Sequence, residues 1–199
     1  MIAIFDYGAG NLRSVENTLQ SLGASYEIVR DAAGLARASK IILPGVGHFG
    51  QMMRALDELR VRDAFLDRIR AGVPFLGICL GMQALFEEST EAPEARGLGL
   101  YPGRVERFPA GTRAPHMGWN ELSLRGSPAL FRGLGPRPYV YFAHSYYVPV
   151  AVAGPRAAAL VDYAVRYAAA LEDGNVFGVQ FHPEKSGALG QQVVRNFVS

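Results

Sequence analysis

Short apolar runs in the first half of the chain, each ended by a turn signal and separated by helix-length stretches, constrain the fold more than any other feature. Ile2-Ala3-Ile4-Phe5 stops at Asp6-Tyr7-Gly8, and Tyr26-Glu27-Ile28-Val29 follows the next break. Lys40-Ile41-Ile42-Leu43 is cut off by Pro44-Gly45, and Val73 to Ile78 runs into Cys79. Runs of this length and composition predict buried strands. Between the first two, Leu12, Val15, Leu19 and Leu22 recur at helical spacing, with Asn11 as a candidate N-cap and Gly23 as the stop. Residues 48–71 carry two further helical segments, and a helix is predicted over residues 79–88. Strand, helix, strand in this order predicts an α/β fold of three layers, with a mostly parallel central sheet flanked by helices.

The second half has a different texture. Gly and Pro crowd residues 93–103, 109–118 and 126–138. Short β-like runs lie at 104–108, 139–143, 157–161, 166–171 and 176–181, and read as a smaller antiparallel, meander-like part. A last helix is predicted over 188–198. With no internal repeat and no linker, residues 1–199 read as one domain.

Composition excludes several functions. Hydrophobic residues make up 49% of the chain, too many for disorder. Its 20 basic and 18 acidic residues leave a net charge of +2, and the Arg residues are scattered, so no nucleic-acid surface is expected. One cysteine allows neither an internal disulfide nor a Cys-based zinc site. His48, His116 and His144 lack metal-ligand spacing, and no metal is expected. Gly8-Ala9-Gly10 lacks the third glycine of a dinucleotide loop, since Arg13 stands there, so no cofactor is expected. The first apolar run has no basic flank and is too short for a signal peptide, and no run is long enough to span a membrane. A cytoplasmic chain is the expectation.

The chemistry-bearing residues sit where strands end. Gly77-Ile78-Cys79-Leu80-Gly81 follows a buried strand and opens a helix, the context of a nucleophile elbow. Gly77 and Gly81 give the tight turn room, and a helix N-terminus favours a thiolate. The N–H of Leu80 lies where a developing oxyanion needs a donor. A lone cysteine is otherwise a buried, inert thiol; the flanking glycines favour the nucleophile. His182-Pro183-Glu184 follows the apolar run 176–181. His182 suits a general base and Glu184 the group that orients it. The Pro44-Gly45-Val46-Gly47 loop ends a strand that should share a crevice with Cys79. From spacing it reads equally as a second oxyanion donor or as an ordinary turn.

With these motifs in hand, Gly77-Ile78-Cys79-Leu80-Gly81-Met82-Gln83 together with His182-Pro183-Glu184 resembles the class I, triad-type glutamine amidotransferases. Other segments narrow the resemblance. They are Asp6-Tyr7-Gly8-Ala9-Gly10-Asn11-Leu12, Leu43-Pro44-Gly45-Val46-Gly47-His48-Phe49-Gly50, His116-Met117-Gly118-Trp119-Asn120, Tyr141-Phe142-Ala143-His144-Ser145-Tyr146 and Gln180-Phe181-His182-Pro183-Glu184-Lys185-Ser186. Together they are similar to the glutaminase subunits of imidazole glycerol phosphate synthase, over essentially the whole chain.

That resemblance implies a reaction. Cys79 would attack the side-chain amide of glutamine and release ammonia with a proton from His182. Water would then free glutamate from the thioester. Gly47 and Gln83 would contact glutamine, with backbone groups of Ser145 and Tyr146 nearby. The Gly45–Gly47 loop would complete the oxyanion hole after a backbone rearrangement. The resemblance also implies a partner, a cyclase subunit with a (β/α)₈ barrel, joined as a heterodimer. That subunit would use the ammonia to make imidazole glycerol phosphate and aminoimidazole carboxamide ribotide in histidine biosynthesis.

Asn11, Arg13, Trp119, Tyr141 and Lys185 are the candidates for the partner-facing surface, Trp119 being equally readable as a core residue. The chain departs from the family pattern at Tyr147, where a basic or small residue is expected. Related subunits of the anthranilate type carry His where Met82 stands. A γ-glutamyl hydrolase would share the triad but need no partner.

Overall fold

A computed structural model describes residues 1–9 and 11–199. Gly10, the end of the Gly8-Ala9-Gly10 run, lies outside the described residues. The early apolar runs form β1 (Ile2–Phe5), β2 (Tyr26–Val29), β3 (Lys40–Gly45) and β4 (Phe75–Cys79). They pair in parallel in the order β2-β1-β3-β4. Their connections form α1 (Leu12–Ser21), α2 (Ala32–Arg37), α3 (Phe49–Glu58) and α4 (Arg62–Arg70).

Side chains alternate along a strand, and here both faces are filled. Phe5, Ile41, Leu43 and Phe75 share one core with Leu35 of α2, Phe49 and Leu56 of α3 and Phe65 of α4. Ile4, Ile42, Leu76 and Ile78 share the other with Val15 and Leu19 of α1 and Val193 and Phe197 of a last helix. The result is the expected three layers.

Residues 79–88 depart from the expected helix. α5 spans only Leu80–Gln83, and Phe86–Ser89 is a strand, β5. Helix propensity loses to long-range backbone pairing here. The carbonyls of Ala84, Leu85 and Glu87 accept from the N–H groups of Leu98, Tyr101 and Gly97 at 2.7, 3.0 and 2.9 Å. Gly97 lies so close to β5 that a Cβ there would stand 1.8 Å from the Phe86 carbonyl oxygen. Asn11 takes the N-cap place of α1 but makes no side-chain capping hydrogen bond.

The second half supplies β6 (Tyr101–Arg107), β7 (His116–Glu121), β8 (Ser123–Leu124), β9 (Tyr139–His144) and β10 (Tyr146–Pro149). The short helix α6 (Val150–Ala153), then β11 (Ala157–Asp162), β12 (Arg166–Asp173) and β13 (Val176–Val179) follow. The closing helix is α7 (Gly187–Val198).

Most pairings here are antiparallel, with two exceptions. β5 runs parallel to β6, and β13 runs parallel to β4, with Val179 opposite Ile78. The second exception matters for function. It lays the chain that leaves β13 beside the carboxyl end of β4, where Cys79 stands. β7 and β9 form a separate antiparallel ribbon.

Candidate active site

Cys79 ends β4 at φ 53° and ψ −109°, buried to 6% exposure. Among the described residues only one other non-glycine, Arg60, has a positive φ, and it follows the end of α3. A residue forced into this region stores roughly 1–3 kcal/mol, and it persists only where its surroundings fix it. The glycines do that. A Cβ on Gly77 would lie 2.4 Å from the Gly81 carbonyl oxygen, and one on Gly81 would lie 1.9 Å from that of Leu43. A Cβ on Gly45 would likewise lie 2.5 Å from the Gly81 amide nitrogen. The elbow turns into a single helical turn, so the long-helix dipole expected behind the thiol is missing.

His182 arrives from β13 and is fixed at main chain and side chain. Its N–H donates to the Tyr141 carbonyl at 2.9 Å, and its carbonyl accepts from Ser186 Oγ at 2.7 Å. Its Nδ1 lies 2.8 Å from Glu184 Oε1, with both side chains 3% exposed. Burial works against charge on the ring. Hydrogen bonds with the Cys79 thiol and the Glu184 carboxylate outweigh it, and the imidazole is raised to about 10. A proton is therefore held on His182 between sulfur and carboxylate, where a leaving amine could take it.

Sequence reasoning missed two groups here. Gln180 Nε2 lies 3.5 Å from the Cys79 sulfur, and its Oε1 accepts from Gln83 Nε2 at 2.9 Å. Gln180 follows Val179, which pairs with Ile78, so strand register alone would have put it beside Cys79. Tyr7 is the other. Its hydroxyl donates to the Val46 carbonyl at 3.1 Å and accepts from the Val46 N–H at 3.2 Å. The Val46 N–H, in the loop expected to offer a second oxyanion donor, is thus turned onto Tyr7 in this arrangement. Neither spacing nor periodicity signals that contact.

A cavity of about 220 Å³ opens over Cys79, lined by Val46, Gly47, Leu80, Gln83, Ser145 and Tyr146 together with Glu91, Pro115, Ala143 and His144. It falls below the usual 300–1,000 Å³ of drug-sized sites and suits a small, polar substrate. Gly45, expected at the oxyanion loop, lies beneath the elbow and not among these lining residues. Among the described residues no group of His, Cys, Asp and Glu could hold a metal.

The surface candidates gather around the same turn. Trp119 is 56% exposed, which removes its core reading, and it packs edge-on against Tyr141 at 6.2 Å. Opposed residues of an antiparallel pair share a face. Met117, Trp119, Tyr141 and Tyr139 therefore lie on the outer face of the β7–β9 ribbon. Lys185 is exposed three residues after His182, and α1, which Asn11 precedes and which contains Arg13, packs against Pro183–Lys185.

The chain is similar to known proteins over nearly its whole length. The chain is 48% identical to a protein of Deinococcus radiodurans named imidazole glycerol phosphate synthase subunit HisH, over 98% of this chain and 92% of that one. It is 48% identical to a protein of the same name from Methanothermobacter thermautotrophicus, over 100% and 98%. Among solved structures it is similar to a PurLQS structure from Thermotoga maritima, with a TM-score of 0.79 at 20% identity, covering 98% of this chain and 96% of that one. At that identity the likeness speaks for the fold. The family profile described as "Glutamine amidotransferase class-I" matches residues 3–199. This chain belongs to the class-I glutamine amidotransferase family.

Proposed function

We propose that the chain is the glutaminase subunit of an imidazole glycerol phosphate synthase and supplies ammonia for histidine biosynthesis. The observation that carries this reading is Cys79, held at φ 53° over the cavity, together with a buried His182 that Glu184 grips at 2.8 Å and that Cys79 helps to keep protonated. The full-length match to proteins named as HisH subunits supplies the substrate and the setting.

Cys79 attacks the side-chain carbonyl carbon of glutamine. The developing oxyanion is met by the Leu80 N–H and, once it is turned, by the Val46 N–H. His182 gives its proton to the departing ammonia and leaves a glutamyl thioester on Cys79. Water, deprotonated by His182, attacks the thioester, and glutamate leaves as the thiol is restored. Glu184 keeps the imidazole oriented and stabilises its charged form. Gly47, Gln83 and the Ser145–Tyr146 backbone form the walls that hold glutamine.

The ammonia passes to a cyclase subunit, which we take to be a (β/α)₈ barrel in a cytoplasmic heterodimer. Asn11, Arg13, Trp119, Tyr141 and Lys185 form the docking face. The whole of residues 1–199 acts as one amidotransferase domain. Because the Val46 N–H is tied to Tyr7, the isolated chain should hydrolyse glutamine slowly. A glutaminase assay with and without the cyclase and its nucleotide tests this. A large rise in rate on adding both is expected. Full activity in the isolated chain would contradict the subunit reading and favour a stand-alone hydrolase.

A further inference from the structure

Outside the triad, the buried titratable side chains His116, His144 and Tyr167 are joined by hydrogen bonds. Their hydrogen bonds run in one direction. The Tyr146 carbonyl can only accept, so His144 Nδ1, 2.8 Å away, carries the hydrogen. Burial lowers His144 to about 3 and His116 to about 4, so both rings are neutral near pH 7. His144 Nε2 then holds a lone pair, and the Tyr167 hydroxyl donates to it at 2.8 Å.

The Tyr167 oxygen accepts in turn from His116 Nδ1 at 2.8 Å. His116 Nε2 accepts from Asn120 Nδ2 at 3.4 Å. The Asn120 amide cannot be reversed, because its Nδ2 donates to the Asp162 carbonyl at 3.0 Å and its Oδ1 accepts from the Glu121 N–H at 2.8 Å. His116 also stacks on Tyr163 and Phe142, with ring centroids 3.9 and 4.6 Å apart.

The chain of bonds ends at the cavity. The Tyr146 oxygen also accepts from Gln83 Nε2 at 2.9 Å, so both of its lone pairs are used. The Ser145 carbonyl next to it accepts from the Phe108 N–H at 3.1 Å. Gln83, His144, Ser145 and Tyr146 all line the cavity beside Cys79. A buried network of this kind is rigid when every member is satisfied, and it loses that rigidity when one donor is removed.

We propose that His144 is a positioning residue for glutamine: held in one tautomer by Tyr167 and His116, it fixes the Tyr146 carbonyl and with it the wall of the cavity that Gln83, Ser145 and Tyr146 form. This rests on reading the cavity as the glutamine site. The role touches binding more than bond-breaking, so it should show in KM before kcat.

The test uses the complex with the cyclase subunit. His144→Leu should raise KM for glutamine about tenfold, the scale of one lost buried hydrogen bond, with kcat within about threefold. His144→Asn keeps an N–H near the Nδ1 position and should return KM to within about threefold of the parent. Equal KM values in the two variants, or a fall in kcat with KM unchanged, would overturn the proposal and leave His144 a packing residue. If the parent complex releases no glutamate from glutamine, the glutaminase reading falls as well; if the parent works and the variants show no split, only the positioning role falls. Should the variants fail to fold, ¹⁵N spectra of Cys79→Ala decide. His144 must appear as the Nδ1–H tautomer, and its Nδ1 signal must shift on adding glutamine. An Nε2–H tautomer, or no shift, overturns the proposal.

Discussion

His182 has an ordinary value of 6.5 and is raised to about 10 in the folded chain, so folding binds its proton more tightly. The stabilisation this gives is fully present below about 6.5 and is lost as pH rises through about 10. Glu184→Gln removes one of the two partners that raise it, and the His182 titration should move to lower pH in an NMR pH series. An unmoved titration would mean that Glu184 does not tune the ring. Tyr7→Phe removes the hydroxyl that holds both backbone groups of Val46. The isolated variant should hydrolyse glutamine several-fold faster than the parent, roughly what one or two released hydrogen bonds allow; a slower variant would show that Tyr7 supports the active arrangement. Cys79, His182 and Glu184 were legible in the sequence because glycines and strand ends mark such positions. Tyr7 leaves no local pattern, since its hydroxyl reaches a backbone nearly forty residues away, whereas Gln180 becomes legible only once β13 is paired with β4.

At the scale of elements, the elbow depends on backbones packed closer than a Cβ permits. Gly81→Ala would place a methyl group 1.9 Å from the Leu43 carbonyl oxygen, where β3 and α5 have no room to part. A loss of at least about 1–3 kcal/mol in unfolding free energy is expected, together with loss of glutaminase activity. An alanine variant of parental stability and rate would mean that the close approach is dispensable. The parallel strands were readable from β1 to β4 because a run buried on both faces is continuously apolar. The residues after Cys79 favour helix locally and so read as helix, whereas in the fold the carbonyls of Ala84, Leu85 and Glu87 are claimed by residues 97–101. β7 and β10 escaped because Gly118 and a mixed polar pattern hide their alternation. Even so, His116 and Asn120 face inward while Met117 and Trp119 face out.

On the scale of the whole molecule, one face combines the mouth of the cavity with the exposed Met117, Trp119 and Tyr139. Trp119→Ala should weaken binding to the cyclase by about 2 kcal/mol or more, roughly thirtyfold in Kd, as a central aromatic anchor does. The melting temperature of the isolated chain should barely change, because the ring is more than half exposed. Unchanged affinity in a calorimetric titration would remove Trp119 from the docking face. The ribbon that carries Trp119 also reaches the triad, since the Tyr141 N–H donates to Ser186 Oγ and its carbonyl accepts from the His182 N–H. On the proposed reading docking and catalysis share a strand, which suits a nucleophile that should act only when an acceptor is ready for ammonia. The most direct test is Cys79→Ala in the complex with the cyclase. Synthesis driven by glutamine should be lost while synthesis from added ammonium persists; continued use of glutamine by that variant would contradict the assignment of Cys79 as the nucleophile.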